Sequence, residues 1–439
     1  MITQTQTSKA MKLSPEIVSE IFKNFSTAVI IHKPQLFPWF LGQICAEWRN
    51  VFLSLSTQFW GYIEIDIFLG KKAFPGSVPY FKRALDILNF CLKCSQGCPL
   101  SFMFRMSSSQ YYADEYAYVV DIFNALITQS MRWLKAEIYF LPVTELQRLH
   151  CVKGRVPLLQ SFFLSLPGDL WRRRDLEPLS VDERFADTFE QSPNLKHLRL
   201  SDMRVSKFNW TSIESFQLRS LTDAGKLVAA LSQATSLKEL EIGLGDTFGE
   251  PININNAQSM VTLPSLKKLV LHTHNILGAL TAPGLKHLSV NFWRRKEQII
   301  TVASFVHRSS CSLEHLSLWS SEPAATMKVL SHIPSLSSLL ICDDPLGLQS
   351  SIKFLDCDMP EGASLVAPRL KSLEMKTQRE LNTSLLMELS AMVASRARNP
   401  GVDGLQKLSL RTDSTRSMGD LTTLQEQCEK NNVKLTVGA

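Results

Sequence analysis

The chain has 439 residues, of which 45% are hydrophobic and 20% charged, and its formal net charge is +6. An apolar fraction this high excludes global disorder, and a small positive charge on so long a chain does not indicate a nucleic-acid-binding protein. No uncharged apolar stretch reaches about 18 residues, so we expect no transmembrane helix. Nine cysteines without a visible secretory signal predict reduced thiols in an intracellular protein, cytoplasmic or nuclear.

The first predicted element is an amphipathic helix near the N-terminus, where residues 13–22 read LSPEIVSEIF. Ser14 is a good N-cap, Pro15 suits the first helical position and Glu16 complements the positive end of the helix dipole. An apolar face follows at helical spacing, formed by Ile17, Ile21 and Phe25. A second apolar block, from Pro38 to Ile65, comes after a loop.

These two segments resemble the F-box, especially that of fungal F-box-like proteins. The matching positions are Leu13, Pro15, Glu16, Ile17, Ile21 and Phe22 in the first segment, and Cys45, Trp48, Arg49, Ser56, Thr57 and Trp60 in the second. The resemblance implies docking onto a Skp-type adaptor, and through it onto a cullin–RING ubiquitin ligase. The adaptor-binding residues that it implies are Leu13, Pro15, Glu16, Ile17, Ile21, Phe22 and Trp48. In the alternative reading, Leu13, Ile17 and Phe22 only pack the interior of a small helical domain.

From residue 159 onward the chain contains a repeated pattern: apolar, two residues, apolar, one residue, apolar. Ten such segments begin at positions 159, 195, 213, 237, 266, 285, 313, 336, 370 and 405. Most of the steps between them lie near the leucine-rich-repeat period of about 20–29 residues. The alternation predicts a short half-buried strand in each unit, and residues 224–231 and 385–392 show helical spacing.

The predicted fold class is therefore α/β. We expect a small all-α F-box-like helical domain followed by an irregular leucine-rich-repeat solenoid, with a parallel sheet on one face and helices on the other. The predicted boundaries are a flexible tail at 1–10, the F-box-like domain at 11–60 and the solenoid at 61–439. Within the solenoid we expect degenerate units at 61–155 and clearer repeats at 156–439.

The strand register also predicts which residues point away from the core, onto a concave face that would bind the substrate. They are Arg199, Arg219, Lys268, His287, His315, Trp319, Lys376 and Arg411. This face is net basic and favours an acidic or phosphorylated protein partner. Neighbouring strands lie about 4.8 Å apart, so His287 and His315 are predicted to be adjacent. A pH-sensitive or metal-binding role for the pair and an ordinary solvated position are both open.

No catalytic motif is visible, so the sequence predicts neither an enzyme nor a cofactor. The spacing of Cys91, Cys94 and Cys98 fits one helix face better than a zinc site, and no metal is expected. The basic runs at 171–174 and 293–296 favour solvated loops over nucleic-acid contacts. The expected function is the substrate-recognition subunit of an SCF-type ubiquitin ligase. The alternative is a repeat scaffold for protein interactions that joins no ligase.

Overall fold

The computed structural model describes sixteen segments of the chain, and the structural statements below refer to them. These are residues 13–25, 28–31, 42–55, 59–67, 78–95, 97–106, 113–166, 187–201, 207–220, 224–243, 260–272, 276–291, 297–319, 323–357, 365–412 and 421–438. The predicted tail at 1–10 and both basic runs lie outside them. The chain divides into two compact units, Met1–Ile213 and Glu214–Ala439. The predicted F-box-like segment lies within the first unit.

The first unit contains parallel strands that follow one another in chain order across the sheet. They are β1 (Val29–Ile30), β2 (Tyr62–Ile67), β3 (Leu100–Met106), β4 (Trp133–Tyr139), β5 (Ser161–Leu164) and β6 (His197–Leu200). The α-helices described in this unit are α1 (Pro15–Phe25), α2 (Ala46–Ser54), α3 (Val78–Cys94), α4 (Ala113–Ile127) and α5 (Val143–Leu146).

The second unit repeats this plan with a longer parallel sheet. Its strands, in sheet order, are β7 (Ser215–Leu218), β8 (Glu239–Ile242), β10 (Lys268–Leu271), β12 (His287–Asn291), β13 (His315–Trp319), β14 (Ser338–Cys342), β15 (Ser372–Thr377), β16 (Lys407–Thr412) and β17 (Lys434–Gly438). The short strands β9 (Val261–Thr262) and β11 (Leu280–Thr281) pair separately. The helices are α6 (Ala224–Leu231), α7 (Glu297–Ser309), α8 (Pro323–Leu330), α9 (Pro345–Leu355), α10 (Thr383–Arg398) and α11 (Thr422–Lys430).

The α/β class and the parallel strand arrangement are confirmed. Each of the ten repeated segments contains a strand, from β5 to β8, at β10 and from β12 to β16, and α6 and α10 occupy the predicted helical positions. The prediction of an all-α segment at 11–60 is wrong in one detail. Val29 and Ile30 form β1, which pairs in parallel with β2. Residues 28–31 read Ala-Val-Ile-Ile, and β-branched side chains favour a strand at a sheet edge.

Alternating burial along each strand places the core on one side of the second-unit sheet. In β10, Leu269 and Leu271 are buried, whereas Lys268 is exposed and Val270 is half-buried. The strands pair in phase, since Leu269 lies opposite Leu288 of β12. A shift of one residue would turn the buried leucines to the solvent side, so the pattern fixes the register and leaves one open face.

Three arginines stabilise the ends of the connections between strands by binding backbone carbonyls. Arg132 donates from Nη2 to the Leu92 oxygen at 3.1 Å, at the end of α3. Arg308 in α7 donates from Nη2 to the Leu280 oxygen at 2.9 Å, and Arg396 in α10 binds carbonyls in the same way. Burial lowers the pKa of all three guanidinium groups. Charge-assisted bonds to carbonyls thus join segments that are distant in sequence.

Candidate functional site

The predicted adaptor-binding segment forms two contacting helices, α1 and α2. Ser14 lies at the N-terminal end of α1, where its backbone oxygen accepts a hydrogen bond from the Val18 N–H at 3.1 Å. Hydrogen bonds from its own backbone N–H and from the Ser14 side chain lower the pKa of Glu16. The start of α2 is capped by Cys45, whose Sγ accepts a hydrogen bond from the Trp48 backbone N–H at 3.4 Å. The first turn of α2 is therefore fixed by a side chain that satisfies one of its free N–H groups.

An aromatic cluster holds the two helices together. The Phe22 ring lies 5.8 Å from the Trp48 ring in an edge-on arrangement and 5.2 Å from the Phe52 ring. Phe22 and Trp48 are buried, together with Val18 on α1. Two of the predicted adaptor-binding residues are thus part of the interior. Phe22 and Trp48 therefore pack beneath the exposed surface of α1 and are not part of it. The apolar stripe of an amphipathic helix is wide, so side chains at its centre are buried while those at its edge stay exposed.

The other predicted docking residues lie at the surface. Leu13 is 37% exposed and Ile17 is 51% exposed, Pro15 and Glu16 are exposed as well, and Ile21 is half-buried. The predicted set therefore separates into an exposed apolar edge and a buried support. Sequence reasoning missed two further exposed apolar residues near α2, which are Ile44 and Leu53. The matched positions Ser56 and Thr57 lie outside the described residues.

The predicted substrate-binding residues are divided between the two units. Arg199 belongs to the first unit, where its guanidinium lies 4.7 Å from the centre of the Phe163 ring. Phe163 in turn contacts Tyr139 at 4.4 Å, and Arg105 lies over Tyr139 at 4.9 Å. This cation–aromatic stack was not predicted, because its members come from four strands and meet only through the register.

The remaining predicted residues belong to the second unit, where His287 and His315 form a stacked pair. They lie opposite each other on β12 and β13, and their rings stack at 4.1 Å with an angle of 3° between planes. The predicted adjacency is confirmed. Burial lowers the pKa of His287, and the charges of His315 and Lys268 lower it further.

A second cluster lies at the carboxyl ends of β13 to β16. The Lys376 ammonium lies over the Trp319 ring at 5.9 Å, and Cys342 occupies the position between them in the register. A small side chain at this central position lets the two longer ones meet. Arg411 on the next strand bonds Glu374 at 3.0 Å. Trp319 and Lys376 are half-buried, whereas Arg411 is exposed, as is Arg219 directly after β7.

The cysteine cluster does not form a metal site among the described residues. Cys91 is buried on α3 and burial raises the pKa of its thiol, so the thiol stays protonated at neutral pH. No three His, Cys, Asp or Glu side chains within the described segments come together as metal ligands. None of the helices in those segments combines the length and the apolar character that a bilayer crossing requires.

Comparison with known proteins adds no relative to these observations. The chain matches no protein-family model and no curated protein.

Proposed function

We propose that this chain is the substrate-recognition subunit of an SCF-type ubiquitin ligase. In this proposal α1 and α2 are an F-box that docks a Skp-type adaptor, and the strands and helices that follow are leucine-rich repeats that hold a protein substrate. The chemistry is proximity: the substrate is held near a charged ubiquitin-conjugating enzyme, and this chain supplies no catalytic group. An intracellular location, cytoplasmic or nuclear, follows from the same proposal.

The observation that carries the proposal is the exposure of Leu13 and Ile17 beside a packed aromatic core. Apolar side chains of this size contribute about 1.5–3 kcal/mol each when a partner buries them fully. Val18 and Phe22 on the same helix are buried, so α1 cannot turn its exposed edge inward without removing them from the core. This arrangement leaves α1 with an exposed apolar edge, which is the kind of surface that a helical adaptor binds.

The alternative function is a scaffold that binds a protein partner through the second unit and joins no ligase. The open, net basic sheet face supports the scaffold as much as it supports the ligase subunit, because partner binding at this face does not depend on α1 or α2. The two proposals differ only in what the N-terminal helices contact.

Adaptor co-purification with the full chain tests the proposal. We expect a tagged chain to retain a Skp-type adaptor, and the double variant L13D/I17D to lose it, because two carboxylates would be buried in the interface. The matched control is L346D/M387D in the second unit, where Leu346 is 68% exposed and Met387 is 63% exposed. This control should retain the adaptor.

Far-UV circular dichroism would verify that both variants are folded. An L13D/I17D chain that keeps the adaptor at the level of the unmodified chain contradicts the assignment of α1. A folded, unmodified chain that binds a protein partner but no adaptor supports the scaffold.

A further inference from the structure

The open face of the second unit is charged unevenly from β10 to β17. In these strands, which the structure describes in full, the outward positions hold five permanent cations and one carboxylate, Glu374. The cations are Lys268, Lys376, Lys407, Arg411 and Lys434. Arg411 bonds Glu374. The neighbouring strand β8 adds two carboxylates to the same face, Glu239 opposite Lys268 and Glu241 opposite Val270, so from β8 to β17 the five cations outnumber three carboxylates. The surface is therefore complementary to an anionic partner.

The first outward position of each strand forms one continuous line across this face, here named the lysine–histidine row. In order, it comprises Lys268, His287, His315, Ser338, Ser372, Lys407 and Lys434. At about 4.8 Å per strand, its ends lie about 29 Å apart. Lys407 and Lys434 are neighbours on β16 and β17 and could share one phosphate, but Lys268 at the other end of the row could not reach the same group. An extended peptide of about nine residues spans the same distance.

We propose that the lysine–histidine row binds an extended acidic segment of a partner protein, with aspartate or glutamate carboxylates aligned along the row. The proposed function gives this segment its role as the substrate's recognition element, and the inference rests on it for that role. The binding itself requires only the second unit. Trp319 and Leu340 lie on the same face, half-buried, and supply apolar contacts beside the row.

The stacked imidazoles give the binding a pH signature. A proton on His287 is opposed by Lys268 and Lys286 and by a charged His315 at 4.1 Å, and it is favoured by Glu314, which bonds Lys286 at 2.7 Å. Lys267, directly before Lys268, adds a further positive charge to the neighbouring strand. A bound carboxylate reverses this balance, because it favours the protonated ring. Binding should therefore take up protons and strengthen as the pH falls.

Fluorescence anisotropy with the full chain and labelled 12-residue peptides tests the inference. The probe alternates Glu and Ser, the neutral control alternates Gln and Ser, and a third peptide is the neutral control with one phosphoserine. Of the three peptides, we expect only the acidic probe to bind appreciably. Its affinity should be about threefold to tenfold higher at pH 5.5 than at pH 7.5. Glutamate side chains remain largely ionised at both pH values.

Variants test whether the affinity for the acidic probe and its pH dependence arise from the lysine–histidine row. In H287Q/H315Q the pH dependence should disappear while the affinity at pH 7.5 stays within about twofold. In K268Q/K407Q/K434Q the affinity should fall about tenfold at both pH values. The control is His197→Gln, an exposed histidine of β6 in the first unit, which should leave both measurements unchanged.

Three results would overturn the inference: equal binding of the neutral peptide, tighter binding of the single-phosphate peptide, or a pH dependence that persists in H287Q/H315Q. The assay contains no adaptor, so its failure leaves the adaptor experiment intact. Conversely, loss of the ligase assignment would not alter a measured affinity for the acidic probe.

Discussion

Replacing Arg396 by alanine removes a guanidinium that is 1% exposed at the end of α10. Its Nη2 donates to the Ala367 oxygen at 2.8 Å and its Nη1 donates to the Leu355 oxygen at 3.3 Å. Ala367 has a φ of 47°, a conformation that an alanine adopts only when its surroundings hold it there. Two hydrogen bonds from a charged donor contribute about 1.5–3 kcal/mol each, and relief of the buried charge offsets part of their loss.

We therefore expect R396A to lower the free energy of unfolding of the second unit by about 3 kcal/mol. Urea denaturation of the full chain, followed by far-UV circular dichroism, measures this loss. The matched control is Arg398→Ala on the exposed side of the same helix, with an expected change within about 0.5 kcal/mol. A loss below about 1 kcal/mol for R396A would refute the view that carbonyl-binding arginines stabilise the connections.

Further substitutions test other parts of the structure. Burial raises the pKa of Asp343 to about 7, so its charged form is disfavoured in the folded chain and stability falls as the pH rises from about 4 through 7. Asp343→Asn should then leave the melting temperature unchanged at pH 4 and raise stability at pH 8, by an amount on the order of 1 kcal/mol; equal effects at both pH values would contradict this. A Cβ at Gly284 would lie 2.8 Å from the Pro264 oxygen, so Gly284→Ala should cost about 1–2 kcal/mol in urea denaturation. Gly278→Ala, which meets nothing within 4 Å, is the neutral control. Phe22→Ala should destabilise the first unit by about 3–5 kcal/mol in thermal unfolding, and a smaller loss than that of Ile17→Ala would invalidate the assignment of Phe22 to the core.

Much of the second unit could be predicted because its strands depend on local alternation. Leu269 and Leu271 flank an outward residue, and a period of two identifies such a strand without knowledge of its neighbours. Once the strands are assumed to pair in phase, the contact of His287 with His315 follows. The strand β17 was not predicted, because Asn432 occupies the place where the repeated pattern has its first apolar residue. Lys434 was therefore not predicted as an outward residue.

The parts that could not be predicted depend on three-dimensional placement. The apolar stripe of α1 does not reveal that Ile17 is exposed while Val18 is buried, because the boundary depends on where α2 packs. The carbonyl partners of Arg396 lie 29 and 41 residues away in sequence. No spacing rule connects such groups, which are brought together only when the connections between strands have folded.

The exposed edge of α1 and the lysine–histidine row belong to different compact units, each with its own buried core. The two surfaces share no residue, so substitutions that remove one should leave the side chains of the other in place. Under the proposed function, a cell that expresses L13D/I17D beside the unmodified chain would contain a competitor. This variant would bind the substrate through the row but could not bring it to the adaptor. Such an allele would be dominant, whereas an allele lacking the row would be recessive.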